Sequence, residues 1–488
     1  MEDVEATAVN RNVRWLFWSQ GIRVLVQLVG LSVLSRYLSP AEYGAMAALM
    51  VILNFGALFR DFGTGSALVQ RKHVSEEALD SVFLMVISAG GALAIATAVA
   101  APALAAAVGV HSVTPYICLS ALNFIINSCT VVPQALLERS SRFRTLARIE
   151  GIAALSGLIT AVALAYAGFG VGSLVAQLLV SSFVVAMQLS VAANWRPRIR
   201  FNKAEAVSLW SFSGSVGAFN LVNYVSRNAD AAIIGRMIGP MALGTYSHAY
   251  KLMAFPVQNI TQVISRATYP VLSRFNGNLG VFAEIYFGNL RLIAGVTAPL
   301  MAWLWCFREE IVEIAFGPAW SNVPVALAWL APAGFLQSLV STLGAVFMAK
   351  EKTLLLLQLG MFNAGLTVLF SAVGSAWGGV EGVAIACLCA SVCNLVPCFG
   401  LALRLMNETP LRVLQTAGGP VLCAAVSGVV VVYAFERFDL SPVVQTLAAT
   451  AAWIATYGLL ASVFMPEVLR AITDVLGVRR TKIGVTAT

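Results

Sequence analysis

Charged side chains are scarce in this chain, and the few that fall inside its long apolar stretches are the ones that could do chemistry. Gln20, Arg23 and Gln27 share one stretch; Asn220, Asn223, Arg227 and Asp230 share another. Lys251, Gln258, Gln262 and Ser265 lie in a third, with Arg266 one step round, and Asn54, Arg60 and Asp61 end a fourth. Within each of the first three the spacing is that of one face of a helix. A charge at the centre of a bilayer costs about 2.5–3.5 kcal/mol on insertion scales, so it is kept where it meets water, a partner or a ligand. Cations outnumber anions in this set. Such a lining suits an anionic ligand, and arginine in particular offers a forked pair of donors to phosphate oxygens. Arg227 and Asp230, three apart, can pair with each other.

Several of these residues also have a structural reading. Arg60–Asp61 precedes the flexible run Phe62-Gly63-Thr64-Gly65-Ser66 and reads equally as a gate or as a topology anchor. Arg266 and Arg291 lie near span ends and can snorkel to the interface. Arg36 and Arg236 end their helices, where capping or anchoring is the expected role, and Glu381 should be solvated.

Other chemistry finds little footing. Histidine occurs only at 73, 111 and 248, no two carboxylates share a helix face within the apolar stretches, and there is no P-loop. The chain is therefore expected to be no enzyme, with no metal and no cofactor. Asp61 and Asp230 are its candidates for coupling to protons, sodium or the membrane potential. The eight cysteines lie in or at the ends of apolar helices, without the spacing of a disulfide framework or a zinc site.

Composition sets the class. The 488 residues are 59% hydrophobic and only 11% charged, with a mean hydropathy of +0.82. Soluble domains carry about 25% charged residues, and apolar runs of roughly 20 residues are transmembrane helices rather than barrel strands. An all-α integral membrane protein follows. Fourteen spans are expected: 13–35, 42–63, 79–107, 114–137, 146–167, 171–194, 208–235, 241–270, 285–307, 323–348, 354–375, 380–403, 411–434 and 442–465. With this count, twenty-one Lys and Arg residues fall in loops or tails on one side and four (Arg36, Arg236, Arg308, Arg437) on the other. The positive-inside rule makes the rich side cytoplasmic and places both termini there. The net charge of +8 is thus a topology signal, and no nucleic-acid partner is expected. The acidic start (Glu2, Asp3, Glu5) is not that of a signal peptide.

The chain also repeats itself. Val33-Leu34-Ser35-Arg36-Tyr37-Leu38-Ser39-Pro40-Ala41-Glu42-Tyr43-Gly44 returns as Ile233-Ile234-Gly235-Arg236-Met237-Ile238-Gly239-Pro240-Met241-Ala242-Leu243-Gly244. At the same offset Gln20, Arg23, Gln27 and Gly30 align with Asn220, Asn223, Arg227 and Asp230. In both copies proline should stop a helix and glycine let the chain turn. Two homologous six-span lobes are expected, 1–194 and 207–404, joined by a basic linker at 195–206 and followed by two further spans and a tail at 405–488. An even span number per lobe puts the pseudo-twofold axis along the membrane normal. No loop is long enough to hold a soluble catalytic domain.

The block Arg36–Gly44, then Asp61-Phe62-Gly63-Thr64-Gly65-Ser66-Ala67-Leu68-Val69-Gln70-Arg71, resembles the start of bacterial polysaccharide exporters. So do Asp230-Ala231-Ala232-Ile233-Ile234-Gly235-Arg236, Ala249-Tyr250-Lys251-Leu252 and Tyr269-Pro270-Val271-Leu272-Ser273-Arg274. The resemblance is to the polysaccharide-transporter branch of the multidrug/oligosaccharidyl-lipid/polysaccharide superfamily, in particular the colanic-acid and xanthan repeat-unit exporters, over roughly residues 10–400. It implies a V-shaped, alternating-access flippase in the bacterial inner membrane. The cargo implied is an undecaprenyl-pyrophosphate-linked oligosaccharide moved to the periplasmic leaflet. The resemblance places binding arginines on the first, second and eighth spans, where Arg23, Arg60 and Arg266 stand. Partners implied are this lipid-linked substrate, membrane lipids, and a polymerase or glycosyltransferases, around a monomer. A cation-coupled drug or metabolite antiporter of the same superfamily is the alternative; it would need cavity carboxylates to dominate. A membrane polymerase or ligase would need an external loop that is absent.

Overall fold

The structure is a computed structural model, and it describes residues 26–61, 65, 68–69, 74–202, 224, 228–435 and 442–468. Every regular element among the described residues is helical. Ten of these helices are long and apolar enough to cross a membrane by length and composition. One of them, Thr353–Met406, leaves helical geometry at Gly378 and Gly379 and is two helices. Gly379, at φ 57° and ψ −134°, takes a conformation that only glycine adopts freely. The described residues do not by themselves fix the number of spans at fourteen.

The chain divides into two compact units, Met1–Gly244 with Ala315–Ala319, and Thr245–Ile314 with Trp320–Thr488. In the first unit, α1 (Val26–Ser35) leads through a short turn to α2 (Pro40–Asp61). Ser39 and Glu42 form a capping box over the start of α2: the Ser39 N–H and hydroxyl both reach Glu42 Oε2, at 2.7 and 2.8 Å. Then come α3 (Glu76–Val99), capped by the Ser75 hydroxyl on the Ala78 N–H at 3.1 Å, and the short α4 (Ala101–Ala107). The next span, His111–Arg139, is not one smooth helix but a chain of short segments, α5 (Thr114–Ser120), α6 (Leu122–Ser128) and α7 (Val131–Arg139). The hairpin of α8 (Phe143–Tyr166) and α9 (Val171–Ala192) closes the set. Residues 228–237 form a further helix, α10.

The second unit carries most of α11 (Pro240–Pro256), whose first five residues belong to the first unit. A π-helical turn, Val257–Thr261, separates α11 from α12 (Gln262–Arg274). Then follow α13 (Leu279–Cys306), the surface helix α14 (Arg308–Phe316), α15 (Val323–Ser341) and α16 (Leu343–Ala349). The two arms of Thr353–Met406 are α17 (353–377) and α18 (380–406), and α19 (Pro410–Phe435) and α20 (Pro442–Phe464) end the described chain. The last two pack on α13: Trp303 Nε1 donates to the Thr450 hydroxyl at 3.1 Å, Tyr457 donates to the Gly295 carbonyl at 2.7 Å, and Arg291 pairs with Glu467. That ion pair gives Arg291 a structural role. Buried hydroxyls in this unit pair across helices, Thr297 with Ser338 and Tyr286 with Thr342, each at 3.0 Å. Hydrocarbon offers no water to satisfy them otherwise.

Candidate functional site

The repeat is the feature the structure makes most of. At the start of α2 and the start of α11 the two copies touch each other. A Cβ built on Gly44 would fall 1.6 Å from the Pro240 carbonyl oxygen, and one built on Gly244 would fall 1.8 Å from that of Pro40. The backbones of the two glycines are themselves in contact, so each copy occupies the space a side chain of the other would need. The contact is reciprocal: each glycine lies against the proline carbonyl of the other copy.

This corrects the sequence reading. Pro40 and Pro240 do not stop a helix; each is the first residue of the next one, where its missing N–H costs nothing. Gly44 and Gly244 lie inside those helices and make no turn; they are small so that two backbones can meet.

Tyr224, upstream of α10, is tied to α2. Tyr224 donates its hydroxyl to the Val51 carbonyl, and its ring lies 5.8 Å from that of Phe55. Asn228 Nδ2 donates to the Tyr224 carbonyl at 2.9 Å. Arg236 donates to the Ala106 carbonyl at 2.8 Å and so caps the end of α4, the capping role its helix-end position suggested.

The candidate ligand residues divide by where they fall. Gln20, Arg23, Asn220, Asn223 and Arg227 lie outside the described residues, as do the side chains of Asp61, Gln262 and Arg266. Gln27 is exposed on α1. Arg60 is half-buried in the last turn of α2, beside the exposed Phe59. Asp230 is 7% exposed and accepts the Ala231 N–H at 2.8 Å, so its carboxylate is desolvated but hydrogen-bonded.

On α11, Lys251 is exposed, while Tyr246, Ala249 and Met253, and also His248 and Ala254 at i−3 and i+3 from it, are buried. Gln258 is exposed within the π turn. Here the structure alters the expectation. A single stripe through Lys251, Gln258, Gln262 and Ser265 presumes uninterrupted α-helical periodicity. A π turn bonds i to i+5 and inserts an extra residue, which rotates everything after it by about 100° relative to what precedes. Lys251 and the residues of α12 therefore do not share one face by simple count. Ser265 is half-buried and its hydroxyl has no hydrogen-bond partner among the described residues.

Gln27, Arg60 and Asp230 belong to the first unit, Lys251 and Gln258 to the second. The residues that sequence reasoning missed are Tyr224 and the π turn. An isolated Tyr in an apolar run and a Pro-Val-Gln-Asn pattern give no local signal of either. No group of three or more His, Cys, Asp or Glu side chains that could hold a metal occurs among the described residues, and none of the eight cysteines is in a disulfide.

The succinoglycan biosynthesis transport protein ExoT of Rhizobium meliloti is 26% identical over 481 residues, 98% of this chain and 97% of that one. Among solved structures, the lipid II flippase MurJ in an inward closed conformation superposes with a TM-score of 0.78 at 14% identity, over 94% of this chain and 99% of its own. An inward-facing multidrug-resistance MATE transporter of the MOP superfamily superposes with a TM-score of 0.62 at 16% identity, over 79% of this chain and 96% of its own. At these identities the structural likenesses speak to the fold: it is the helical fold of MOP-superfamily transporters, as the motifs implied. The family described as polysaccharide biosynthesis protein matches residues 33–324, more than half of the chain, from the first copy of the repeat through the second and beyond, and this protein belongs to that family.

Proposed function

We propose that this protein is a flippase that carries an undecaprenyl-pyrophosphate-linked oligosaccharide repeat unit from the cytoplasmic to the periplasmic leaflet of the bacterial inner membrane, for exopolysaccharide assembly. The observation that carries this reading is the match along nearly the whole chain to a succinoglycan biosynthesis transport protein. The predominance of cations in the apolar stretches supports it, because the moving group is a pyrophosphate. The headgroup docks on Arg23, Arg227 and Lys251, with Arg60 or Arg266 receiving it first. The glycan follows into the polar path, and the polyprenyl tail stays in lipid. Asp61 and Asp230 are the candidates for a coupling proton or cation.

Transport needs two states in which opposite ends are closed, and substrate or coupling ion must bind them with different affinity. The reciprocal contact of Gly44 and Gly244 supplies a closure. Both glycines lie toward the end with few basic residues, taken as periplasmic. The helix starts seal by backbone contact and part when cargo leaves. The protein acts as a monomer, as a transporter rather than an enzyme, and hands its product to a polymerase.

The test uses cells depleted of the protein with the upstream glycosyltransferases intact. The lipid-linked intermediate is assayed on spheroplasts with an impermeant glycan-cleaving enzyme. Accumulation in the protected pool is expected. Normal exposure at the outer face would refute the proposal and favour the antiporter reading, for which the MATE-like fold is the only specific support.

A further inference from the structure

The span α9 ends in a segment that the transport cycle as described does not use. Residues 195–202 read Trp195-Arg196-Pro197-Arg198-Ile199-Arg200-Phe201-Asn202, and they are strapped across the start of α3. Trp195 packs on Phe83 with ring centroids 5.6 Å apart. The Arg198 N–H donates to Asp80 Oδ1 at 3.0 Å, its guanidinium donates to Glu76 at 3.0 Å, and the Asn202 N–H donates to the Ser81 hydroxyl at 2.8 Å. Asp80 and Ser81 are 1% and 0% exposed, so the anchors are buried and the strap is held firmly at two points.

Fixing positions 198 and 202 decides where the rest must point. Ile199 is 94% exposed and Phe201 62% exposed. The Arg200 N–H donates to the Arg198 carbonyl at 2.9 Å, while the guanidinium groups of Arg196 and Arg200 are exposed and make no hydrogen bond or ion pair among the described residues, in contrast to that of Arg198. A further arginine, Arg142, reaches the Ala192 carbonyl at 2.9 Å and adds its charge at the same end. Basic loop residues alone would be an ordinary topology signal. Here they alternate with large apolar side chains on an anchored backbone, at the ends of two spans, where neither Ile199 nor Phe201 can retreat into the protein.

This is the chemistry of an interfacial lipid contact: cations at the headgroup level and apolar side chains at the acyl boundary. We propose that residues 195–201 form a docking surface for anionic phospholipids. Arg196 and Arg200 take the headgroup phosphates, and Ile199 and Phe201 insert beside the first acyl carbons. The strap would hold the start of the inter-lobe linker on the membrane surface while the spans move. The proposal stands whether or not the cargo is a lipid-linked oligosaccharide.

The test is a lipid-selectivity measurement on the purified full-length chain in phosphatidylcholine bilayers. Spin-labelled phosphatidylglycerol and spin-labelled phosphatidylcholine are compared for the fraction immobilised by the protein. The wild type is expected to prefer phosphatidylglycerol, and to lose that preference as salt rises. R196Q/R200Q should cut it by up to about fivefold per arginine, and I199S/F201S should cut it while keeping its salt dependence. Lys352→Gln, a change of an exposed basic residue elsewhere, should leave it intact. An undiminished preference in R196Q/R200Q would overturn the proposal, as would an equal loss in K352Q. Loss of transport in R196Q/R200Q with phosphatidylglycerol preference unchanged would reassign these arginines to the cargo's own headgroup.

Discussion

The two copies of the repeat can be laid over each other residue by residue, and they agree in burial more closely than in sequence. Leu34 and Ser35 are buried, and Arg36 and Tyr37 exposed; Ile234 and Gly235 are buried, and Arg236 and Met237 exposed. Tyr37 is 50% exposed and Met237 51%. Further on, Tyr43, Gly44, Ala45, Ala48 and Leu49 are buried, and so are Leu243, Gly244, Thr245, His248 and Ala249. What the repeat preserves is a pattern of which side faces what, and side-chain identity is free wherever that pattern does not constrain it.

The differences are equally instructive. The first copy starts its helix with the Ser39–Glu42 capping box. The second has Gly239 at φ 111° and Ala242 in the matching places and has no such side-chain cap. Where the first has Ala48, the second has the buried His248, whose ring stacks on Trp320 with centroids 3.8 Å apart. The first copy continues as the unbroken α2, while the second runs into the π turn at Val257–Thr261. One copy is thus built as a regular helix and the other as a helix with an interruption, and π turns inside helices commonly mark functional positions.

The largest expected effect tests the shared contact. Gly44→Val and Gly244→Val should each reduce polysaccharide export to near zero, because the added side chain falls on backbone that cannot yield. Membrane abundance by immunoblot separates a failed closure from failed folding, and Gly44→Ala should be milder than Gly44→Val. Unequal tolerance at the two positions would break the reciprocity. Next, Arg23→Ala and Arg227→Ala, the cations of the two polar stripes, should each abolish export with the protein still in the membrane. Normal polymer yield in both would remove the cationic path. Third, deleting Gln258 should restore α-helical phase and rotate α12 by about 100°; export should fall well below wild type. The same deletion at the aligned position 58 of the regular copy should instead harm folding. Smallest, Ser39→Ala should cost about 1 kcal/mol, seen as a modest drop in thermal stability in detergent with transport retained. Its counterpart, Gly239→Ala, acts through backbone strain rather than a lost cap.

Much of this was legible before any coordinates. Arg36 and Arg236 were recognisable as helix-end residues because apolar runs stop there, and Arg236 does cap a helix. Gly44 and Gly244 were aligned correctly but given the wrong task, since a glycine after a proline looks the same in a string whether it turns the chain or admits a neighbour. Asp80 and Ser81 carry no local signal: nothing around them says that a segment over a hundred residues away lies across them.

The sequence by itself determined that this is a helical membrane protein and that its chain repeats at an offset of two hundred residues. Hydropathy and helical periodicity are properties of a few neighbouring residues, so they survive being read without coordinates. Only the tertiary structure decided that the two copies meet glycine against glycine, that Tyr224 reaches Val51, that a π turn shifts α12 out of phase with α11, and that residues 195–202 are strapped to α3. Each of these depends on how distant backbones dock or how one turn relaxes under that docking, and neither is encoded in the spacing of apolar residues along a single helix.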